Sequence, residues 1–370
     1  MTTERAAMSA RFGLALLLAA MAASSSGCAA LGANVNPARL ERLGRSPHFR
    51  DGEFVNVVPT EVIKASTWEV LKGWVAGSED RVPEKPLPVA SDTAAVLAHP
   101  PSSALRVTWL GHSTVLVELE GKRVLTDPFF SERASPAPIA GPARFFPSPV
   151  SMDELPPLDV VVISHDHFDH LDYETIRKLA TKDVTFVVPL GVGNHLEKWG
   201  VAPARIRELD WWDQVVAAGL TFVATPSRHF SGRSLARNVT LWASFVIRGQ
   251  EHRVFFGGDG GLFDGFAEIG RREGPFDLTL LEIGASDPMW GDIHLGPVNA
   301  LAAHAMLGGR LLLPIHWATF NLGRHAWYQP GEVLAKEATS SGAQVSFPAP
   351  GQSFEPLLAV PSERWWEKAR

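Results

Sequence analysis

The alternation of hydrophobic and polar positions predicts strands in the region that begins near residue 105. Leu105–Trp109 is a short apolar run, and Thr114–Glu120 alternates between apolar and polar residues. Gly121-Lys122 is a predicted hairpin turn, from which Arg123–Thr126 returns as a strand. Asp159–Ile163, which reads DVVVI, has the length and apolar character of a buried strand. This region is therefore expected to begin as a hairpin-rich sheet.

Farther along the chain, helical and strand periodicities alternate. Helices are predicted at Tyr173–Thr181, Gly191–Trp199, Leu262–Arg272, Pro297–Leu307 and Gly331–Ser341. Strands are predicted at Val184–Val188, Leu220–Thr225, Val239–Arg248, His252–Phe256, Leu278–Ile283, Arg310–Pro314 and Gln344–Phe347. The strands outnumber those of a simple βαβ repeat, so we expect two sheets with helices on their outer faces. The predicted fold class is α/β, as a single sandwich domain over residues 105–357.

Residues 1–27 are predicted to be an export signal. Their apolar segment, Phe12–Ala23, is too short to span a bilayer comfortably, and arginines precede it. Small residues then lead to Cys28, and the arrangement resembles a bacterial lipoprotein signal, in which the cysteine becomes the lipid-modified first residue. Ser25 departs from that pattern, and ordinary secretory cleavage is the alternative. We expect an exported lipoprotein of the bacterial cell envelope, anchored to a membrane through Cys28 and facing the periplasm or the exterior.

Other segments outside the sandwich are expected to be irregular. Residues 28–104 are predicted to be a mature leader and a wrapping arm, of which 46–104 pack on the sandwich. One helix is predicted at Thr60–Trp74, whereas the prolines between residues 77 and 104 are typical of an extended surface segment. Residues 358–370 are expected to form a C-terminal tail.

Composition and charge restrict the classes of function. The chain has 370 residues, of which 45% are hydrophobic and 20% charged, and this excludes a disordered, solvating protein. Its formal net charge of -6 does not favour a nucleic-acid partner. The single cysteine excludes a cysteine-based zinc site, whereas the 13 histidines leave a histidine-based metal site open.

A dense histidine motif follows the predicted strand at Asp159–Ile163. His165, His167, Asp169 and His170 lie within six positions, directly after the apolar run. Imidazole and carboxylate ligands suit zinc, iron or manganese. The C-terminal end of a strand is also where α/β folds place their sites. The motif therefore predicts a metal site.

Three more polar residues follow apolar strands in the same way: His229, Asp259 and His316. The ordered set of seven residues resembles the metallo-β-lactamase superfamily, whose fold is an αββα sandwich with a dinuclear metal site at one edge. Five further motifs resemble the N-acylphosphatidylethanolamine-hydrolysing phospholipase D group within it. They are Thr108–Thr114 (TWLGHST), Leu125–Pro128 (LTDP), Gly258–Gly261 (GDGG), Gly274–Asp277 (GPFD) and Ile315–Phe320 (IHWATF).

The resemblance implies a role for each residue. His165, His167 and His229 would hold one divalent ion, Asp169, His170 and His316 a second, and Asp259 would bridge the two. The ions are expected to be zinc, with manganese or iron as alternatives. Two groups are implied beside them: Asp166 and His294 as catalytic residues, and Asp127 and His112 as supports that orient the ligands. Ile293 departs from the animal enzyme of the group, which usually has glutamine there.

The implied reaction is hydrolysis of a phosphodiester by metal-bound hydroxide, in which Asp166 would accept the proton of the water and His294 would contact the phosphate. The expected substrate is a phospholipid similar to N-acyl phosphatidylethanolamine. An apolar channel is expected to be lined by residues in and beside the Pro-rich arm 131–157, namely Phe129, Phe130, Ile139, Phe145 and Phe146. Hydrolysis of lactones or other esters on the same metals is one alternative, and a non-catalytic envelope lipoprotein is another. A nuclease is disfavoured by the acidic charge. The oligomeric state is left open.

Overall fold

The computed structural model describes residues 29–33, 37–64, 80–137, 139–234, 236–287 and 289–370. The predicted export signal, Cys28 and most of the helix predicted at Thr60–Trp74 lie outside these residues. The described part of that helix, residues 60–64, is not helical.

The described helices are α1 Pro37–Leu43, α2 Thr93–Leu97, α3 Tyr173–Leu179, α4 Gly193–Lys198, α5 Gly265–Glu273, α6 Gly296–Leu307 and α7 Gln329–Ser341. The first strands are β1 Phe49–Arg50, β2 Glu53–Phe54, β3 Leu105–Gly111, β4 Thr114–Leu119, β5 Lys122–Thr126, β6 Val160–Val162, β7 Thr185–Pro189 and β8 Ile206–Leu209. The later strands are β9 Gln214–Ala217, β10 Leu220–Thr225, β11 Ser244–Arg248, β12 Arg253–Phe256, β13 Phe276–Glu282, β14 Gly309–Ile315 and β15 Ser353–Phe354.

The strands form two large mixed sheets. The first has the order β15-β3-β4-β5-β6-β7-β8, and the second has the order β14-β13-β12-β11-β10-β9. Hairpins make the β3–β5 and β9–β12 pairs antiparallel, whereas β5 to β8 and β12 to β14 pair in parallel. The parallel strands β5, β6, β12 and β14 end at the candidate site, and so does β10, which pairs in antiparallel fashion.

Two hydrophobic clusters hold the layers together. In β6, Val160 and Val162 belong to the cluster between the sheets, and Val161 points to the opposite side, as the two-residue period of a strand requires. That opposite cluster packs the first sheet against α3 and α4. Side chains from α5, α6 and α7 join the central cluster from the outer face of the second sheet. The layers are therefore α, β, β, α, and the predicted α/β sandwich is confirmed.

Only the second half of the predicted strand at Val239–Arg248 is a strand in the structure. Residues 244–248 form β11, but the amides of Leu241 and Ala243 donate to the carbonyls of Leu190 and Ser164 in the first sheet's loops. The strand predicted at Gln344–Phe347 is reduced to one bridge, between Val345 and Leu312, since the chain turns away before Pro348. Backbone groups that hydrogen-bond to another layer do not take part in the hydrogen bonding of their own sheet.

Segments outside the predicted sandwich also pack on it. Phe54 and Leu87 from the N-terminal arm are buried in the central cluster. At the other end, the expected C-terminal tail contains a short 3-10 helix, Trp365–Ala369, and Trp366 is fully buried against Phe347. These residues therefore belong to the packed core. Among the described residues, no helix has both the length and the apolar character needed to cross a membrane.

Candidate metal centre

Loops at one edge of the two sheets bring the candidate ligands together. His165–His170 follow β6 in the first sheet, and Asp127 follows β5. In the second sheet, Asp259 follows β12 and His316 follows β14. All of these strands pair in parallel within their sheets, so their C-terminal ends lie at a common edge.

Three imidazoles form the first group, which we name the imidazole group: His165, His167 and His229. His167 Nδ1 lies 2.8 Å from His165 Nε2 and 3.3 Å from His229 Nε2. Two nitrogens bound to one tetrahedral zinc at about 2.0–2.1 Å lie about 3.3 Å apart. The spacing of the imidazole group therefore fits a single metal ion.

The second group, which we name the carboxylate group, contains Asp169, His170, His316 and Asp259. Asp259 Oδ2 lies 3.2 Å from His170 Nε2 and 3.1 Å from His316 Nε2. Asp169 Oδ2 lies 3.4 Å from the same two nitrogens. Asp259 Oδ2 is also 3.9 Å from His229 Nε2, so this carboxylate lies between the two groups.

The hydrogen bonding of these side chains also fits a metal. His170 Nε2, Asp259 Oδ1 and both ring nitrogens of His316 are buried and have no hydrogen-bond partner. Buried polar atoms without a partner are rare in folded proteins and call for an explanation such as a bound ion. Nitrogen and oxygen donors of this kind bind divalent metals. The residues present therefore fit a metal site.

Asp127 supports candidate ligands through hydrogen bonds. Its Oδ2 accepts hydrogen bonds from His170 Nδ1 at 2.6 Å and from Ser164 Oγ at 2.6 Å, and its Oδ1 accepts one from Ser164 N at 2.7 Å. Ser164 Oγ also lies 2.9 Å from His165 Nδ1. One buried carboxylate thus orients imidazoles of both groups, as partners of metal-ligating histidines do.

Backbone conformation holds several of these residues in place. His112, Asp127 and His316 all have positive φ, at 53°, 32° and 61°, which is uncommon for residues other than glycine. Gly258, just before Asp259, has φ 57°, and a Cβ there would lie 2.5 Å from the Cβ of Ser164. A glycine is therefore needed where the two sheets' loops meet.

His112 lies beside the carboxylate group. Its Nε2 is 3.0 Å from Asp169 Oδ2, its amide donates to Thr319 Oγ1, and its carbonyl accepts from the amide of His316. Burial and the neighbouring His316 lower the pKa of His112 to about 3, so the ring is neutral. Its contacts join the TWLGHST turn to two candidate ligands.

Asp166 makes its contacts with the protein around the motif, and it does not line the pocket described below. Its Oδ1 accepts the amide of Gly232 at 2.7 Å, and its Oδ2 lies 3.3 Å from His195 Nε2. Both oxygens are thus occupied by the protein. This geometry does not favour the predicted role of Asp166 as proton acceptor for a water; it indicates a role in holding the motif.

His294 lies at the pocket, on a buried acid that sequence reasoning missed. His294 Nδ1 donates to Glu282 Oε2 at 2.7 Å, and Glu282 Oε1 accepts the amide of Gly260 at 2.7 Å. Burial opposes a charge on His294, but the Glu282 carboxylate raises its pKa. A signal existed in the sequence, because Glu282 is an acid at the end of the otherwise apolar run Leu278–Ile283 and requires a partner when buried.

The two groups differ in their protonation. Burial, together with neighbouring imidazoles, lowers the pKa of His165 and His229 well below the ordinary value. Burial also opposes a charge on His316, but Asp259 and Asp169 outweigh it and raise its pKa to about 10. Burial opposes ionisation of Asp259 as well, but His170 and His316 keep its pKa well below the ordinary value.

Both groups face one pocket with a volume of about 300 Å³. Its polar lining includes His167, Asp169, His229, Asp259, His294 and His316, and its apolar lining includes Phe168, Phe230, Trp290 and Leu322. A neighbouring cavity of about 690 Å³ shares Pro142, Trp290 and Leu322 with it and adds Val82 and Phe145. The pocket at the metal-ligand cluster thus shares part of its lining with a larger, mainly apolar cavity.

Residues 122–317 match the family model described as the beta-lactamase superfamily domain. The match covers more than half of the chain and includes every predicted metal ligand. The chain belongs to the metallo-β-lactamase superfamily. With its His and Asp clusters it is a metal-dependent hydrolase of that superfamily.

Relatives in the superfamily span most of the chain. An uncharacterized protein of Mycobacterium tuberculosis is 45% identical over 349 residues, which cover 91% of this chain and 92% of that protein. N-acyl-phosphatidylethanolamine-hydrolyzing phospholipase D 1 of Caenorhabditis elegans is 36% identical over 271 residues, which cover 70% of this chain and 76% of that enzyme. The predicted resemblance to this group is therefore confirmed.

Two further comparisons are narrower. Outer membrane protein RomA of Klebsiella pneumoniae is 41% identical over 108 residues, 29% of this chain and 78% of that protein. A solved metallo hydrolase from the archaeon Ignicoccus hospitalis has a TM-score of 0.53 and 22% identity, and the alignment covers 68% of this chain and 98% of that one. The similarity to this solved structure concerns the fold alone.

Proposed function

We propose that the chain is a phosphodiesterase of the phospholipase D type that acts on lipids similar to N-acyl phosphatidylethanolamine. One observation carries the proposal: the candidate metal ligands line a pocket that shares its wall with a larger apolar cavity. A substrate with a polar phosphodiester and long apolar chains has matching chemistry. The name and the 36% identity of the C. elegans enzyme support the same substrate class.

We assign two divalent ions to the site, with zinc expected and manganese or iron as alternatives. The imidazole group would hold one ion, and Asp169, His170 and His316 the other, with Asp259 between them. The separation of Asp259 Oδ2 from nitrogens of both groups supports this assignment. Bound there, two ions would activate water and stabilise negative charge on a phosphoryl group.

The protein's own groups would orient the reacting parts. Glu282 holds His294 through Nδ1, which leaves Nε2 of that ring for a phosphoryl oxygen. Asp127 and His112 would orient His170 and Asp169. We assign Asp166 to support of the motif, because both of its oxygens have partners in the protein.

The apolar cavity would hold an acyl chain. Phe145, Trp290 and Leu322 line it, and Phe145 is one of the phenylalanines predicted to face a channel. Phe129 and Phe146 are instead buried in the packed interior, while Ile139 is exposed at 83%. Of the residues predicted to line a channel, Phe145 is therefore the one that lines this cavity.

We propose membrane anchoring through Cys28 and a location in the bacterial cell envelope. The signal-like segment before Cys28 supports it, as does the similarity to outer membrane protein RomA. Mass spectrometry of the mature chain tests it: a diacylated or triacylated N-terminal Cys28 is expected, and an unmodified N-terminus at another residue would contradict it.

Substrate assays with metal analysis test the proposed activity. The purified mature chain is assayed against an N-acyl phosphatidylethanolamine, a soluble bis-aryl phosphodiester and a panel of lactones, and bound metals are quantified. We expect about two metals per chain and turnover of both phosphodiesters. Turnover of lactones alone would favour the ester hydrolase, and absence of any turnover by the metal-loaded chain would favour the non-catalytic lipoprotein.

His294→Ala tests the substrate contact. It is expected to lower turnover of both phosphodiesters roughly 100-fold or more, because general acid–base or hydrogen-bonding groups contribute about 10²–10⁴ in rate. His99→Ala, at an exposed histidine, is the matched control. Unchanged turnover in His294→Ala would remove this residue from the reaction.

A further inference from the structure

The five residues 29–33 lie against the body of the protein rather than projecting from it. Trp199 Nε1 donates to the carbonyl of Ala29 at 2.8 Å, and Lys198 Nζ donates to the carbonyl of Gly32. The amide of Ala33 donates to His195 Nδ1 at 2.9 Å. The segment is thus bound by side chains at the end of α4, and Ala30 is buried.

Arg233 joins this segment to the metal-binding motif. Its Nη2 and Nε donate to the carbonyl of Ala30 at 2.7 and 3.1 Å. On the other side, Nη1 donates to the carbonyls of Asp166 at 2.7 Å, Leu171 at 2.8 Å and His167 at 3.3 Å. One buried guanidinium therefore bonds to both chain segments at once.

Aromatic rings fix the position of that guanidinium. Arg233 Cζ lies 4.2 Å from the ring centre of Phe168 and 5.1 Å from that of Trp199. Phe168 belongs to the motif and also lines the pocket, whereas Trp199 bonds to Ala29. The planar guanidinium of arginine stacks on aromatic rings and donates several hydrogen bonds in fixed directions, whereas the ammonium of lysine does not. This position therefore suits arginine specifically.

His195 makes a second connection. Its Nδ1 accepts the amide hydrogen of Ala33, so a neutral ring carries its proton on Nε2. Nε2 then donates to Asp166 Oδ2, at 3.3 Å. The segment 29–33 thereby sets the tautomer of a histidine whose other nitrogen bonds to the carboxylate between His165 and His167.

We propose that residues 29–33 form a strap that positions the metal-binding motif 165–170 through Arg233 and His195. The inference rests on the metal site of the proposed function. The motif has no regular secondary structure, so side-chain donors such as Arg233 determine the path of its backbone. Without the strap, the Ala30 side of a buried guanidinium loses its acceptor, and such a group moves or admits water.

Gly32 is the residue that allows the strap to dock. Its φ is +81°, in the left-handed region, and a Cβ there would lie 2.1 Å from His195 Nδ1. An alanine would therefore displace the strap from α4 and leave the hydrophobic core unaltered. Gly52 has a similar φ of +89° with nothing within 4 Å of its Cβ position, and so provides a matched control.

The strap directly follows Cys28. Only one peptide bond separates Cys28 from Ala29, so a lipid on that cysteine would leave no free linker between a bilayer and the protein body. The same docking contacts that support the motif would then hold the pocket near the membrane that contains the substrate.

Metal affinity and hydrogen exchange of Gly32→Ala and Gly52→Ala test the strap. The full mature chain is purified in detergent, zinc affinity is measured by competition with a chelating dye, and exchange is followed in the N-terminal peptide. Gly32→Ala is expected to exchange faster in that peptide and to bind zinc about 10–100-fold more weakly, as loss of a group behind a metal ligand usually does. Gly52→Ala is expected to match the unmodified chain in both measurements.

Arg233→Lys provides the second variant, with the cobalt-loaded protein's visible spectrum as a readout that general destabilisation would not move. We expect Gly32→Ala and Arg233→Lys to change the spectrum similarly, and the double variant to lose little more affinity than either alone.

Three results would overturn the inference. Unchanged exchange in Gly32→Ala would contradict the docking geometry, and faster exchange with unchanged zinc affinity would contradict the coupling to the motif. Full additivity of the two substitutions would show that the strap does not act through Arg233. Absence of zinc binding in the unmodified chain would contradict the proposed function as well, whereas active, metal-loaded Gly32→Ala with normal affinity would leave that function standing.

Discussion

The imidazole group and the carboxylate group lie in one pocket but are built in different ways. The imidazole group takes two of its three side chains from one short motif, and its outer hydrogen bonds go to neutral acceptors or hydroxyls, the Ile293 carbonyl and Ser164 Oγ. The carboxylate group draws on loops of both sheets, as the imidazole group does, but its His170 is backed by the Asp127 carboxylate.

The two groups differ in charge as well as in their hydrogen-bond partners. Three neutral imidazoles form a set suited to zinc, whereas added carboxylates bring negative charge and suit manganese or iron as well. Asp259 lies close to both sets, so it is the residue at which the two environments meet. A dinuclear site built in this way should have one selective position and one less selective position.

Asp259→Asn should have the largest effect on this arrangement. The substitution removes the charge shared between the groups and keeps the size of the side chain, so we expect turnover to fall at least about 1,000-fold, comparable to loss of a major electrostatic contribution. Steady-state kinetics on a soluble phosphodiester and metal counting by mass spectrometry measure it. Asp264→Asn, at an exposed carboxylate before α5, is the control.

If Asp259→Asn kept both metals and most of its turnover, the two groups would not share a ligand. The division into a bridged pair of sites would then be wrong.

Removal of one imidazole from each group should separate them. His167→Ala and His316→Ala are each expected to lower the metal content by about one ion per chain. The affinity of the damaged position should fall roughly 100-fold or more, because about 10–16 kcal/mol of zinc binding is distributed over some four ligands. Zinc titration in the presence of manganese measures both positions.

The comparison predicts that the two variants retain different metals. The zinc ion kept by His316→Ala should withstand a large excess of manganese, and the ion kept by His167→Ala should be displaced at a smaller excess. Equal displacement in both would mean that the difference in charge does not determine metal preference.

Asp127→Asn should have a smaller effect, but on both groups. Its two oxygens accept hydrogen bonds from His170 Nδ1 and from Ser164, which in turn contacts His165, and an amide can satisfy only part of this set. We expect zinc affinity to fall about 10–100-fold at both positions. Asp153→Asn, at a carboxylate with 92% side-chain exposure, is the control. A loss confined to one position would show that Asp127 supports one group only.

Four of the seven candidate ligands were predictable because they are close in sequence. His165, His167, Asp169 and His170 follow one apolar strand, and the parallel order of β5 to β7 places that strand's end at an edge. The other ligands were found through the same rule applied to later strands. The αββα layers followed from the count and alternation of strands.

Other parts were not predictable, for physical reasons. An acid in the buried strand at Glu282 signals the need for a partner, but only the three-dimensional contact shows that this partner is His294. Arg233 acts through backbone carbonyls and His195 through the backbone amide of Ala33, and such contacts leave no mark in a sequence. Edge strands such as β8 and β9 are four residues long and partly polar, so their pattern resembles that of loops.

A buried histidine outside both groups provides the last and smallest test of the comparison. His304 in α6 has the hydroxyl of Thr279 beside Nδ1, at 2.8 Å, and no carboxylate offsets the effect of burial on its pKa. Burial therefore lowers its pKa to about 4, opposite in direction to the pKa of His316 among the carboxylates. The direction of the shift depends on the carboxylates and not on burial alone.

This lowered pKa has a consequence for stability in acid. The unfolded chain binds a proton at His304 near pH 6.5, whereas the folded chain does so only near pH 4, so the contribution of a neutral His304 is present above pH 6.5 and is lost as the pH falls. Between pH 7 and 5.5, the unmodified chain should lose about 1 kcal/mol more in free energy of unfolding than His304→Asn, which cannot titrate. Urea unfolding of the two chains at both pH values measures the difference, and equal losses would mean that His304 is not held neutral by burial.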